Sequence, residues 1–225
     1  RGDPMSDTTF EHDGVSVSGY IAEPSGDAKG GLIVIQEWWG LNDDIKGIAD
    51  RYAAEGFVAF APDMYHGDMS TEPDEARKLA MALDRDIAGR ELDAAIEHLK
   101  AEHGVAKVGS VGYCMGGSLT LSTATRPTST VDAIHAYYGA PRLTPDEIAS
   151  ISVPVMGSYG SEDQGIPAEL VNEFQQALDG QGTPNDIKIY EGAAHSFFNA
   201  GPAHHEEASQ DSWARSVAWF TEHLA

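Results

Sequence analysis

Apolar and β-prone runs alternate with stretches of helical periodicity along the whole chain, the pattern of a mostly parallel sheet covered on both faces by helices. Ser16 to Ile21 reads as an early edge strand, and Gly31 to Gln36 is continuous and apolar, as a central strand buried on both faces should be. Ile45, Ile48, Ala49 and Tyr52 then recur at helical spacing, with Asn42 or Asp43 as cap and Gly56 as terminator. Phe57 to Ala61 is the next strand, and a helical region is expected from about Pro73 to Lys100. Lys107 to Val111 is strand-like and Ser118 to Thr125 helix-like. Strands follow at Val131 to Tyr138, Val153 to Tyr159 and Asp186 to Tyr190. A helix carries Leu170, Phe174, Ala177 and Leu178, and a C-terminal one carries Trp213, Val217, Phe220 and Leu224.

No Pro/Ser-rich linker or internal repeat divides the 225 residues, so residues 5–225 read as a single α/β domain. Arg1-Gly2-Asp3-Pro4, ahead of Met5, reads as a cloning remnant. With 36 acidic residues against 14 basic ones the net charge is −22, which argues against nucleic acid and anionic membrane as partners. A carboxylate-rich, lysine-poor surface suits a high-salt source; an acidic protein of an ordinary cytosol has the same composition. One cysteine excludes an intrachain disulfide, and with no transmembrane-length apolar run and no signal-peptide pattern, a cytoplasmic location is expected.

That one cysteine stands in Gly112-Tyr113-Cys114-Met115-Gly116-Gly117, between a strand and a helix. This is the spacing of a nucleophile elbow, G-x-S-x-G, with Cys in place of Ser. A free thiol is only a few per cent thiolate at neutral pH, so attack on a carbonyl needs a base or a positive neighbour. Ligands of open α/β sheets bind at the carboxyl ends of the strands, where this chain places Glu37, Asp63, Cys114, Tyr137, Tyr138, Asp163 and His195. His195, in the loop after the last strand, is the expected base, and Asp163 is the expected acceptor that fixes its tautomer, with Glu162 as rival. The chain order Cys, Asp, His is that of α/β-hydrolases. The backbone N–H groups of Met115 and Trp38 are the expected oxyanion donors.

These motifs, with Gln36-Glu37-Trp38-Trp39-Gly40, Ala61-Pro62-Asp63-Met64-Tyr65, Tyr137-Tyr138-Gly139, Pro167 and Gly192 to Phe197, resemble the dienelactone hydrolase family of α/β-hydrolases. The resemblance spans nearly the whole chain. It implies an α/β-hydrolase fold, a Cys114-His195-Asp163 triad acting through a thioester acyl-enzyme, and no metal or organic cofactor. It also implies that Glu37 contacts the resting thiol and moves on ligand binding to help form the thiolate.

The pattern breaks at two arginines that hold the substrate carboxylate in members acting on dienelactones. Their places are taken by His66-Gly67 and Asn199, which offer a carboxylate much less than an arginine fork. Arg77, Lys78, Arg85 and Arg142 are the other cations considered, each reading first as a surface residue. The expected pocket is therefore apolar and aromatic, with Trp39, Tyr65, Tyr137, Phe197 and Phe198, and with Trp38 beside Trp39 across the cleft, suited to neutral or aryl esters. The partner is then a small ester or lactone, and the protein a monomer or small homo-oligomer. Two rival readings stand beside this one: a thioesterase or acyl transferase on the same triad, and a non-catalytic carbonyl-ligand binder or redox-sensing thiol.

Overall fold

In the computed structural model, which describes residues 5–225, the chain builds one eight-stranded sheet. The expected cloning remnant, residues 1–4, lies outside the described residues. The strands are β1 (Met5–His12), β2 (Val15–Ala22), β3 (Gly31–Ile35), β4 (Val58–Pro62), β5 (Val108–Tyr113), β6 (Ala133–Tyr137), β7 (Val155–Gly160) and β8 (Asn185–Tyr190). They lie in the order β1-β2-β4-β3-β5-β6-β7-β8. From β4 to β8 every pairing is parallel; β1 with β2 and β2 with β4 are antiparallel. This is the α/β-hydrolase fold.

The helices are α1 (Asp43–Ala54), α2 (Pro73–Ala82), α3 (Arg85–Glu102), α4 (Met115–Thr125), α5 (Pro145–Ser150), α6 (Ala168–Gln181) and α7 (Glu206–Leu224). The period of two in the strands sorts the core into two layers. Leu32 and Val34 of β3, with Ala59 and Ala61 of β4, pack among residues of α1 and α7. Their neighbours Ile33, Ile35, Val58 and Phe60 pack on the opposite side, among residues of α3. A strand covered on both faces has no polar side to show, which is why Gly31–Ile35 is apolar throughout.

Three elements differ from the sequence expectation. Ser16 to Ile21 is not the edge: β1 lies outside it, joined by a tight turn at Asp13 (φ 49°) and Gly14 (φ 78°). That Asp-Gly pair is a hairpin signal of the type that tolerates positive φ at both central residues. The alternating exposure of β1 hides it from a search for apolar runs. The helical region from Pro73 is two helices, because Asp84 caps a new one by accepting from the N–H groups of Asp86 and Ile87. The short α5, with a capping box between Thr144 and Glu147, was not expected. Of the two candidate caps of α1, Asn42 takes the role, accepting from the N–H of Ile45 at 3.1 Å.

Candidate active site

The parallel strands all deliver their carboxyl ends to one rim, and β5 runs there into α4 through Cys114. The cysteine has φ 55° and ψ −113°, a left-handed conformation that an L residue adopts only when its surroundings enforce it. The enforcement comes from close backbone contact on either side. A Cβ on Gly112 would lie 2.0 Å from the carbonyl oxygen of Gly116, and one on Gly116 would lie 2.4 Å from that of Ile35. Backbone cannot yield as a flexible side chain does. Gly112→Ala is therefore expected to lower stability by about 3 kcal/mol or more, read as a fall in the urea midpoint; an unchanged midpoint would show that the elbow relaxes.

The sulfur so presented lies 3.1 Å from Nε2 of His195, and Nδ1 of the same ring lies 2.6 Å from Oδ2 of Asp163. The second oxygen of Asp163 accepts from the N–H groups of Gly165 and Ile166, at 2.9 and 3.1 Å. Asp163 thus fixes its own loop as well as the imidazole. Its burial alone would raise the carboxyl, but the His195 contacts and the two amides outweigh this and hold it below the ordinary carboxylate range. For His195 burial works against the charged form, while hydrogen bonds to Asp163 and Cys114 favour it strongly enough to raise the imidazole to about 10. Glu162, the rival to Asp163, has no part in this hydrogen-bonded chain; its own N–H donates to the carbonyl of Ala193.

Glu37 follows β3 and is buried at 5% exposure. Burial raises its carboxyl above the usual range, partly offset by His195, Ser196 and Asn199. Its hydrogen bond is with Ser196, whose hydroxyl donates to Oε1 at 3.2 Å, while the sulfur of Cys114 is engaged by His195. The expected contact of Glu37 with a resting thiol is thus not the arrangement seen. Ser196 is held at φ 61°, a turn that sends its hydroxyl to Glu37 directly after His195.

Met115 is the first residue of α4, so its N–H has no acceptor within the helix. Trp38 lies in the loop after β3, with its carbonyl accepting from the Tyr65 hydroxyl at 3.1 Å. Trp38 follows β3 and Met115 follows β5, and these two strands are hydrogen-bonded neighbours in the sheet.

A cavity of about 430 Å³ opens over Cys114 and His195. Glu37, Trp38, Trp39, Asp44, Ser196 and Asn199 line it, and the loop from Ala200 to Ala203 closes one side. Of the aromatic residues expected there, Trp38 and Trp39 are present. Tyr137, Phe197 and Phe198 are buried behind it. Tyr137 stacks on Tyr113 with ring centroids 4.6 Å apart, and Phe198 packs between Tyr137 and Trp213. Phe197 packs on Tyr138 and Tyr190, because the chain turns inward after Ser196 to join α7. Tyr65 is also outside the cavity. Its hydroxyl reaches the sulfur of Met115 at 3.3 Å, so it braces the two expected oxyanion residues from behind.

Asp44, Ser196 and residues 200–203 were missed as lining residues in the sequence. Asp44 had one available signal, its place in the first turn of the helix that follows a central strand. None of Arg77, Lys78, Arg85 and Arg142 lines the cavity, and Arg142 instead donates to the carbonyl of Gly165. His66, at the first missing arginine, pairs with Glu91 at 2.7 Å. Among the described residues no helix is long and apolar enough to cross a membrane.

The model of the dienelactone hydrolase family matches residues 17–224. Protein usf of Aquifex pyrophilus is 36% identical over 225 aligned residues, covering 96% of this chain and 97% of its own length. A candidate carboxymethylenebutenolidase of Aquifex aeolicus is 33% identical at the same coverage. Among solved structures, a candidate dienelactone hydrolase of Klebsiella pneumoniae superposes with a TM-score of 0.88 at 27% identity, covering 97% of this chain and 98% of that one.

Proposed function

The chain belongs to the dienelactone hydrolase family and is an ester or lactone hydrolase, and from that premise we propose that it works through a cysteine acyl-enzyme on neutral or aryl esters. The observation that carries the reading is the continuous hydrogen-bonded chain from Cys114 through His195 to Asp163 at the floor of an accessible cavity. In the proposed cycle the sulfur of Cys114 attacks the carbonyl carbon and the N–H groups of Met115 and Trp38 hold the resulting oxyanion. His195 carries a proton to the leaving alkoxide, and the C–O bond breaks to leave a thioester. Water, deprotonated by His195, then attacks that thioester; the acid leaves and the thiol returns.

The preference for neutral or aryl esters over carboxylate-bearing ones rests on the cavity wall, which has no lysine or arginine and two carboxyl groups, Glu37 and Asp44. A carboxylate-bearing lactone would meet no fork of donors there. A panel of lactones, aryl esters and acyl thioesters tests this: the expected order places neutral aryl esters above a dienelactone in kcat/KM. A much higher value for the dienelactone would overturn the substrate reading, and a thioester preference would favour the thioesterase alternative.

The raised carboxyl of Glu37 suits a proton acceptor close to the thiol and imidazole. The pH profile of kcat/KM is then expected to be bell-shaped. Its acid limb lies above the ordinary carboxylate range, where Glu37 takes up a proton, and its alkaline limb lies near 10, where the His195 imidazolium is lost. Glu37→Gln should displace the acid limb and leave the alkaline one; an unaltered profile would remove Glu37 from the mechanism.

A further inference from the structure

The cavity wall carries an aromatic corner and an unpaired carboxylate that the acyl-transfer steps do not use. Trp38 and Trp39 meet edge to face, with centroids 5.0 Å apart and planes at 64°, and both line the cavity. Asp44, exposed in the first turn of α1, lines it as well and has no cationic partner among the described residues. The basic groups nearest to it along α1 are committed elsewhere. Lys46 reaches Asp7 at 2.7 Å, and the Arg51 guanidinium lies 3.8 Å from the centroid of the Trp213 ring. The α1 N-terminus offsets part of the charge on Asp44, but the chain as a whole carries −22.

Resting on the hydrolase reading above, the geometry points to a cation subsite formed by Trp38, Trp39 and Asp44, so that among esters without a carboxylate those bearing a quaternary ammonium or alkylammonium group are turned over more efficiently than neutral ones of the same shape. Indole faces attract cations through the ring quadrupole, and they do so more strongly as the site is desolvated. A carboxylate at the mouth adds a long-range pull that salt weakens. The Cys114 and His195 pair needs no counter-charge from this wall, since proton transfer between them leaves their sum unchanged. Asp44 is therefore free to act on the substrate. The 430 Å³ of space accommodates a small acyl group and a choline-sized alcohol together.

The test compares butyrylcholine with 3,3-dimethylbutyl butyrate, in which carbon replaces the charged nitrogen at the same shape. On the wild-type enzyme at low salt, kcat/KM for the cationic ester should exceed that for the neutral one by about tenfold, and the ratio should shrink toward one as salt rises to ~1 M. In Asp44→Asn the ratio should fall severalfold. A general loss of folded enzyme would lower both esters alike and leave the ratio untouched. A wild-type ratio of one or less, or a ratio indifferent to Asp44→Asn, would overturn the subsite. If no ester at all is turned over, the hydrolase reading itself fails, and tetramethylammonium binding then reads the subsite alone. Quenching of tryptophan fluorescence that weakens in Asp44→Asn would support it, and the absence of quenching by the wild type would overturn it.

Discussion

Replacing Cys114 by alanine is expected to lower kcat/KM for any ester substrate by on the order of 10⁴-fold or more while the fold survives. The loss is large because the sulfur is both the attacking atom and the group that carries the acyl chain, and no other nucleophile stands within reach of His195 Nε2 in the same chain of hydrogen bonds. The fold survives because alanine is smaller than cysteine and faces the same positive φ. Unfolding midpoints measured beside the kinetics separate the two effects. Activity that persists in a folded Cys114→Ala enzyme would rule out the acyl-enzyme.

Asp163→Asn is the second large effect. An amide NH₂ facing Nδ1 of His195 would turn that nitrogen into an acceptor and place the ring proton on Nε2, toward the sulfur. The imidazole could then no longer take the thiol proton, and a fall of about 10³ to 10⁴-fold in kcat/KM is expected. The same residue links stability to pH. Its folded-state pKa is depressed, so its contribution is complete above the ordinary aspartate value and is lost as pH falls through the lower folded value. The raised His195 works on the other side: its contribution is complete below the ordinary histidine value and is lost as pH rises toward 10. Urea midpoints across pH should therefore show less acid dependence in Asp163→Asn than in the wild type. Equal slopes would mean that Asp163 is not ionised against His195 in the folded protein.

The elbow was readable from sequence because its chemistry is local. Gly112, Cys114 and Gly116 occupy positions where one strand must turn sharply into one helix, and glycine at these places has a steric reason that spacing reveals. His195 and Asp163 were readable for a related reason: each lies in the loop after a strand whose apolar run marks where the sheet rim lies. What failed was the direction of side chains beyond those points. Phe197 and Phe198 follow His195 directly, yet the turn at Ser196 sends both into the core. Tyr137, the last residue of β6, lies against Tyr113 and beneath the rim.

The hydrogen bond between Ser196 and Glu37 joins residues 159 apart, and no local pattern encodes it. The cavity's composition had the same limit. Its lining comes from the loop after β3, the start of α1, Cys114, residues 195–196 and residues 199–203, which meet only once the sheet is assembled. The missing arginines were visible as substitutions. Trp38 and Trp39 were expected at the cleft from their place after β3; that Asp44 shares the wall with them was visible only in three dimensions.

The claim that a thioester forms on Cys114 is tested most directly by trapping it. An aryl pivalate has a hindered acyl group that slows hydrolysis of the intermediate, so acid quenching during turnover followed by peptide mapping by mass spectrometry should find the pivaloyl group on the peptide containing Cys114. Phenol release in the presence of unmodified Cys114, or a pivaloyl group on a different residue, would contradict it.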